Sequence, residues 1–338
     1  MTNKELIRKI GIGPMSSEVI EAVYKYSATN NKELMLIASK NQIDYKSGYV
    51  NNWSTKDYSN FLKNLKKKYN SKVKICRDHC GPGFNNNYSL KDVYRTIDSD
   101  VENGFDLIHI DFSKNKTNYK KILDNSKNAI LYAKSLNAKL QIEVGTDENF
   151  GQRLSHMSIK EFISEINFFL DFVSPEYFVV PTGSLIMEDR QIGFYNENFI
   201  KFIYKRVAPI NVNLKEHNAD YLSGDEISIR KKYISGLNIA PQFGISQTIF
   251  VLNECKKFGV NPDDFLEVSY NSKKWEKWLY KINKNDKLRC SVIAGHYNFN
   301  TKEYKILIEN LQKYKKNINN DIINSHIEII DHYVTNFY

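Results

Sequence analysis

Val73-Lys74-Ile75-Cys76, then Ser89-Leu90-Lys91-Asp92-Val93, then Gly104, then Leu107-Ile108-His109-Ile110: this stretch decides the fold. The short β-branched runs read as strands, and the segment 90–103 between them has helical spacing. Ser89 with an acid three residues on has the form of a capping box, and Gly104 suits a helix C-terminus. Two parallel strands need such a helix to cross between them.

The same unit recurs on both sides. Upstream lies the strand-like run Leu34-Met35-Leu36-Ile37-Ala38. Downstream come Leu140–Val144, Tyr177–Val180, Ile210–Leu214, Leu237–Ala240 and Cys290–Ala294. Helical spacing fills 57–68, 117–136, 158–172, 196–206, 226–234, 245–258 and 302–315, with Ser158 before Glu161 as a second start signal. Eight β/α units predict an α/β protein, a single (β/α)8 TIM barrel over 1–338. An open doubly wound sheet would carry a glycine-rich turn after its first strand, where this chain has Ser39-Lys40-Asn41-Gln42. Residues 1–30 are then expected as an N-terminal helical cap and 316–338 as a C-terminal helix packed outside.

Composition narrows the class. The 338 residues are 41% hydrophobic, too apolar for disorder, and hold no stretch long enough to span a membrane. Met1-Thr2-Asn3-Lys4-Glu5 is not followed by an apolar segment, which predicts a cytoplasmic protein. Cys76 and Cys80 flank His79 without a second pair, which argues for reduced thiols over a zinc knot. The net charge of +9 suggests nucleic acid first, but the lysines fall in runs such as Lys66-Lys67-Lys68 that read as solvated helix faces. No nucleic acid and no membrane are therefore expected as partners; an anionic small substrate is.

In this barrel the chemistry gathers where strands end. Those ends hold Lys40, Asn41 and Gln42; Arg77, Asp78 and His79; Asp111; Glu143 and Asp147; Thr182 and Ser184; His217 and Asp220; Gln242; and, after Arg289, His296. Imidazoles and carboxylates converging from separate strands suit a divalent metal, zinc first and manganese as the alternative. His79 and His217 are the expected ligands. Glu143 alternates with Ile142 and Val144, so it is expected to point into the barrel as a functional acid. His109 sits among apolar residues and reads as a core or supporting histidine; His156, His326 and His332 are given no role.

These rim sequences resemble a known family. Leu36-Ile37-Ala38-Ser39-Lys40-Asn41-Gln42, Arg77-Asp78-His79-Cys80-Gly81-Pro82 and Gly104-Phe105-Asp106-Leu107-Ile108-His109-Ile110-Asp111 are similar to motifs of the class II D-tagatose-bisphosphate aldolase subunit family, the so-called non-catalytic subunit. Val144-Gly145-Thr146-Asp147, Glu216-His217-Asn218-Ala219-Asp220-Tyr221 and Leu237-Asn238-Ile239-Ala240-Pro241 follow in the same order. The resemblance implies the barrel, a sugar or sugar-phosphate ligand, and kinship with class II aldolases and sugar-phosphate 4-epimerases. It implies that Asp78 moves a proton on a substrate hydroxyl while His79 binds zinc. The chain departs from the pattern where an arginine-rich end is replaced by Cys290-Ser291-Val292-Ile293-Ala294-Gly295-His296-Tyr297, and where the acid of the fourth motif is shortened to Asp147.

Two functions follow as expectations. The first is a metal-dependent aldolase or 4-epimerase working by retro-aldol chemistry, with Asp78, Glu143 and Asp147 catalytic and His79 and His217 on the metal. Asn41, Gln42, Asp111, Thr182, Ser184, Asp220, Gln242 and His296 would hold substrate, with Lys40, Arg77 and Arg289 as phosphate candidates. The second is a non-catalytic subunit stabilising a partner aldolase chain. A homo-oligomer fits either.

Overall fold

The structure, a computed structural model, describes residues 9–115, 117–146 and 159–338. Eight parallel strands close a barrel: β1 (Lys9–Ile12), β2 (Leu34–Ser39), β3 (Val73–Cys80), β4 (Leu107–Ile110), β5 (Gln141–Gly145), β6 (Tyr177–Val179), β9 (Leu214–Glu216) and β10 (Gly236–Ile239). Between β6 and β9 lies a small antiparallel hairpin, β7 (Ile186–Met187) and β8 (Arg190–Gln191). Neighbours follow chain order around the ring, and β1 closes it against β10 with Gly11 opposite Asn238. The fold class is thus the expected (β/α)8 barrel.

Alternation along each strand sorts side chains into two layers. Leu34, Leu36 and Ala38 join the main core between strands and helices, whereas Met35 and Ile37 pack inside the barrel with Cys76, Leu107 and Tyr177. The same parity puts Asp78, His109, Glu143, Lys215, His217 and Asn238 inside and turns Arg77 and Glu216 outward.

Helices α1 (Ser17–Asn30), α2 (Thr55–Tyr69), α3 (Leu90–Glu102), α4 (Tyr119–Leu136), α5 (Ile159–Leu170), α6 (Glu197–Val207) and α7 (Gly224–Arg230) cover the outside. Between β10 and the last helix the chain inserts α8 (Pro241–Phe258), α9 (Asp263–Asn271), α10 (Lys287–Ala294) and α11 (Lys302–Gln312). The insertion has small cores of its own. Helix α12 (Ile318–Phe337) returns to pack against α1 and α7, closing the helical ring.

Four expectations are corrected. Of the helical cap expected over 1–30, the described part, 9–30, is instead the barrel strand Lys9–Ile12 and its helix α1. Its Ile-Gly-Ile run was too short, and too interrupted by glycine, to read as a strand. Cys290–Ala294 is not a strand but most of α10, started by the Asp286 side chain accepting from the Arg289 amide. A short apolar run does not distinguish a strand from a buried helix. The strand expected at 210–214 lies at Leu214–Glu216, after a 3-10 turn at Ala208–Ile210. Ser89 makes no side-chain cap on α3; Asp92 instead pairs with Lys40. All four cysteines are free and buried, and no described helix is long and apolar enough to cross a membrane.

Candidate metal centre

Asp78, His79, His109 and His217 each present one ligand atom, and these atoms lie within 4.8 Å of one another. They come from β3, β4 and the turn after β9. On a regular strand Asp78 and His79 would face opposite layers. Here the β3–β4 register shifts between Arg77 and Cys80, and His79 takes a left-handed backbone, φ +47°. That bulge re-aims His79, so adjacent residues both reach the centre.

The three imidazole rings sit 5.0 to 5.1 Å apart, centre to centre. Each is tied from outside. His79 Nδ1 bonds Asp111 Oδ2 at 2.8 Å, His217 Nε2 bonds Glu143 Oε1 at 2.8 Å, and His109 Nε2 bonds the Gly145 carbonyl at 3.0 Å. Because carboxylate and carbonyl oxygens only accept, each outer nitrogen carries the proton and each inner nitrogen its lone pair. The inner atoms, His79 Nε2, His109 Nδ1 and His217 Nδ1, stand 3.8, 3.7 and 3.8 Å from the Asp78 carboxylate. His109 Nδ1 also accepts the His79 amide at 3.3 Å.

Those gaps are too long for hydrogen bonds. Three imidazoles with anchored outer nitrogens are a donor set that fits zinc, and manganese or iron less tightly, with the Asp78 carboxylate beside them. The residues present therefore fit a divalent ion.

The surroundings hold the charges in place. Lys215 Nζ pairs with Glu143 Oε2 at 2.6 Å inside the barrel. Burial would raise the Glu143 carboxyl, but the Lys215 charge and the His217 hydrogen bond bring it to about 2. Burial likewise opposes ionisation of Asp111, yet the hydrogen bond from His79 holds it below the usual carboxylate range. Asp78 is held well below the carboxylate range against its burial, by His79 and His217 before His109. Asn238 Nδ2 lies 3.5 Å from Asp78 Oδ1, and a β-carbon on Gly11 would strike the Asn238 carbonyl oxygen at 2.4 Å. Gly145 is at φ +95°, and a β-carbon there would lie 2.5 Å from the Val179 carbonyl. The centre opens to solvent on the Asp78 and His79 side, where Phe84 stacks on His79 at 4.7 Å.

The structure thus gathers Asp78, His79, Glu143, Asp111 and His217, and adds His109, Asn238 and Lys215, which the sequence reading left out as site residues. Only parity could have found them: each lies at an inward position. Other candidates fall elsewhere. Arg77 is buried outside the barrel, bound to both carboxylate oxygens of Asp100 and to the Ala38 and Ile43 carbonyls. Lys40 is buried against Asp92 at 2.5 Å. Arg289 is exposed on α10, beside an apolar cavity of about 500 Å³ far along the insertion. None of the three faces the centre.

Ser184 joins a buried Glu216–Arg230 pair behind β9, and the Thr182 hydroxyl bonds Ser184. Asp220 caps α8, accepting from Ala240 and Gln242 amides, and Gln242 accepts from Tyr221 and Tyr333. Gln42 is fixed between Ser39 and Met15, and Asn41 donates to the Phe84 carbonyl. His296 is buried against α8 at Gly244. Asp147, His156 and Ser158 lie outside the described residues.

Known proteins resemble the chain in part of its sequence and in its fold. The family model for "D-tagatose-1,6-bisphosphate aldolase subunit GatZ/KbaZ-like" matches residues 7–143, from β1 into β5. The resemblance read from the sequence holds over that part. No curated protein matches the chain. A probable tagatose 6 phosphate kinase from Sinorhizobium meliloti has a similar structure at TM-score 0.79 and 13% identity, covering 97% of this chain and 100% of that one. The fructuronate-tagaturonate epimerase UxaE from Cohnella laeviribosi superposes at TM-score 0.62 and 8% identity, over 98% and 81%. The YdjI aldolase from Escherichia coli does so at TM-score 0.52 and 14% identity, over 88% and 92%. At such identities the likeness is one of fold, a barrel shared with aldolases and a sugar-acid epimerase.

Proposed function

We propose that the chain is a metal-dependent enzyme of sugar or sugar-phosphate chemistry, a ketose aldolase or 4-epimerase acting by carbon–carbon cleavage. The observation that carries this is the set of three imidazoles whose outer nitrogens are all anchored and whose inner nitrogens surround the Asp78 carboxylate. His79, His109 and His217 would hold a divalent ion, zinc first and manganese second. Bound there, the ion would polarise a ketose carbonyl and offset the negative charge that cleavage leaves behind.

The chain's own residues do the rest. Asp78 remains ionised at the open side of the centre and takes the proton from the C4 hydroxyl, on the carbon that becomes the aldehyde as its bond to C3 breaks. Asn238 orients Asp78 through its amide. Asp111 and Glu143 hold His79 and His217 in one tautomer and one rotation, and Lys215 keeps Glu143 ionised. Protonation of the carbon left electron-rich, by Asp78 or solvent, and release of both halves would be an aldolase; rotation of the aldehyde and rejoining, with the Asp78 proton returned to the hydroxyl, would be an epimerase.

The first test is metal content of the purified protein, with His79→Ala and His217→Ala. Near one equivalent of zinc or manganese, lost in both variants, is expected. Asp78→Asn should keep its fold while losing turnover of ketose phosphates. No metal in any form, even after metal is added back, would sink the proposal.

A second reading rests on the family description, which names an aldolase subunit. On it the chain would stabilise a partner aldolase chain. The polar network inside the barrel favours the enzyme, because a scaffold gains nothing from burying Lys215, Glu143 and three histidines.

A further inference from the structure

None of the expected phosphate cations reaches the centre, yet the same rim carries another. Lys277 follows α9, in a 3-10 turn at Glu276–Trp278. Its ammonium lies over the Trp278 ring at 4.8 Å and the Tyr297 ring at 5.5 Å. Tyr297 packs edge-on against Tyr49, 4.8 Å between centres, and Tyr49 follows β2. Its neighbour His296 abuts Gly244 in the first turn of α8, just after β10. The group therefore stands on the C-terminal rim beside β2 and β10, and β10 also supplies Asn238.

What this group lacks is negative charge. Lys68 and Lys315 are raised by their carboxylate partners. Lys277 is solvent-accessible, but enough protein surrounds its ammonium that desolvation alone lowers its pKa. Among the described residues no carboxylate pairs with it. His296 is buried, its Nδ1 has no hydrogen-bond partner among the described residues, and burial followed by the Lys277 charge lowers it to about 3. Tyr297 adds a donor, because its oxygen accepts the Trp278 indole N–H at 3.1 Å and its own proton is left to give.

We propose that Lys277 and the Tyr297 hydroxyl bind the anionic end, phosphate or carboxylate, of the sugar held at the metal centre. This rests on the metal-centre reading for the sugar, but not for the anion. A rigid aromatic seat fixes the ammonium, and a phenol donor beside it completes a charge-assisted pair of bonds to an oxyanion. The arrangement would make the substrate class an acidic open-chain sugar.

The test uses the full chain and two probes, inorganic phosphate and gluconate, titrated by calorimetry and by Trp278 fluorescence. The wild type should bind one equivalent of the preferred anion. Lys277→Met should weaken it about tenfold or more and Tyr297→Phe several-fold, with Lys277→Arg restoring much of the loss. His217→Ala should bind the anion as the wild type does, even with the metal gone. Tighter phosphate would identify a sugar phosphate; tighter gluconate a sugar acid. Wild-type affinity in Lys277→Met would overturn the proposal. So would loss of binding in His217→Ala alone, which would place the anion on the metal.

Discussion

Glu143→Gln isolates the device that orients the centre. Glu143 accepts twice, from Lys215 at 2.6 Å and from His217 at 2.8 Å. A glutamine has one carbonyl oxygen to offer. Given to Lys215, it leaves the amide NH2 facing His217 Nε2, which must then accept. The ring proton moves to Nδ1 and points inward, where a lone pair is needed. Loss of such a partner typically costs ~10–100-fold in metal affinity, or ~1.4–2.7 kcal/mol. Given to His217 instead, the carbonyl strands the Lys215 ammonium in the barrel, with a cost of about 3–5 kcal/mol in stability. The two branches separate in the double variant with Lys215→Met, which removes the stranded charge. That protein should regain thermal stability. Metal affinity, read by competition with a chelator, should improve over the single variant, because the carbonyl is then free for His217. If Glu143→Gln binds metal as tightly as the wild type, the anchored-imidazole argument fails.

Two further changes test the frame around the centre. Arg77→Met leaves Asp100 buried beside the Ala38 and Ile43 carbonyls, and should lower stability by about 3–5 kcal/mol in chemical denaturation while leaving anion binding unaltered; unchanged stability would refute the structural role. Burial raises the Asp220 carboxyl to about 7, with Ala240 and Gln242 amides opposing it too weakly. The folded chain therefore holds a proton there that the unfolded chain releases near pH 4. Stability from this group is intact below about pH 4 and falls as pH rises towards 7. Asp220→Asn should abolish that fall, so its melting temperature should gain on the wild type between pH 5 and 7.5; parallel curves would refute the assignment.

Much of the architecture was legible because β-branched runs and helical spacing alternate, and six of the strand runs stand where expected. The misreadings share a cause. Ile10-Gly11-Ile12 is a strand because β10 and β2 flank it, and its glycine is there because the Asn238 side chain leans over it. Cys290–Ala294 has the apolar content of a strand, yet it packs in the insertion as a helix. In both cases tertiary neighbours decide what local composition leaves open.

The site was legible to the extent that alternation was applied. Within β3, Asp78 faces in with Cys76, so Arg77 between them must face the helices. Proximity to a strand end was no guide to its role. A buried guanidinium on that face needs an acid, and α3 supplies Asp100. His109 is the converse case. Flanked by isoleucines, it looked like core, yet Ile108 and Ile110 pack outward in the main core while His109 takes the inward parity of Leu107. One departure was beyond alternation: a regular β3 would send His79 outward. The register shift and left-handed backbone at that residue are what make an adjacent Asp-His pair usable as two converging groups, and neither composition nor spacing announces them.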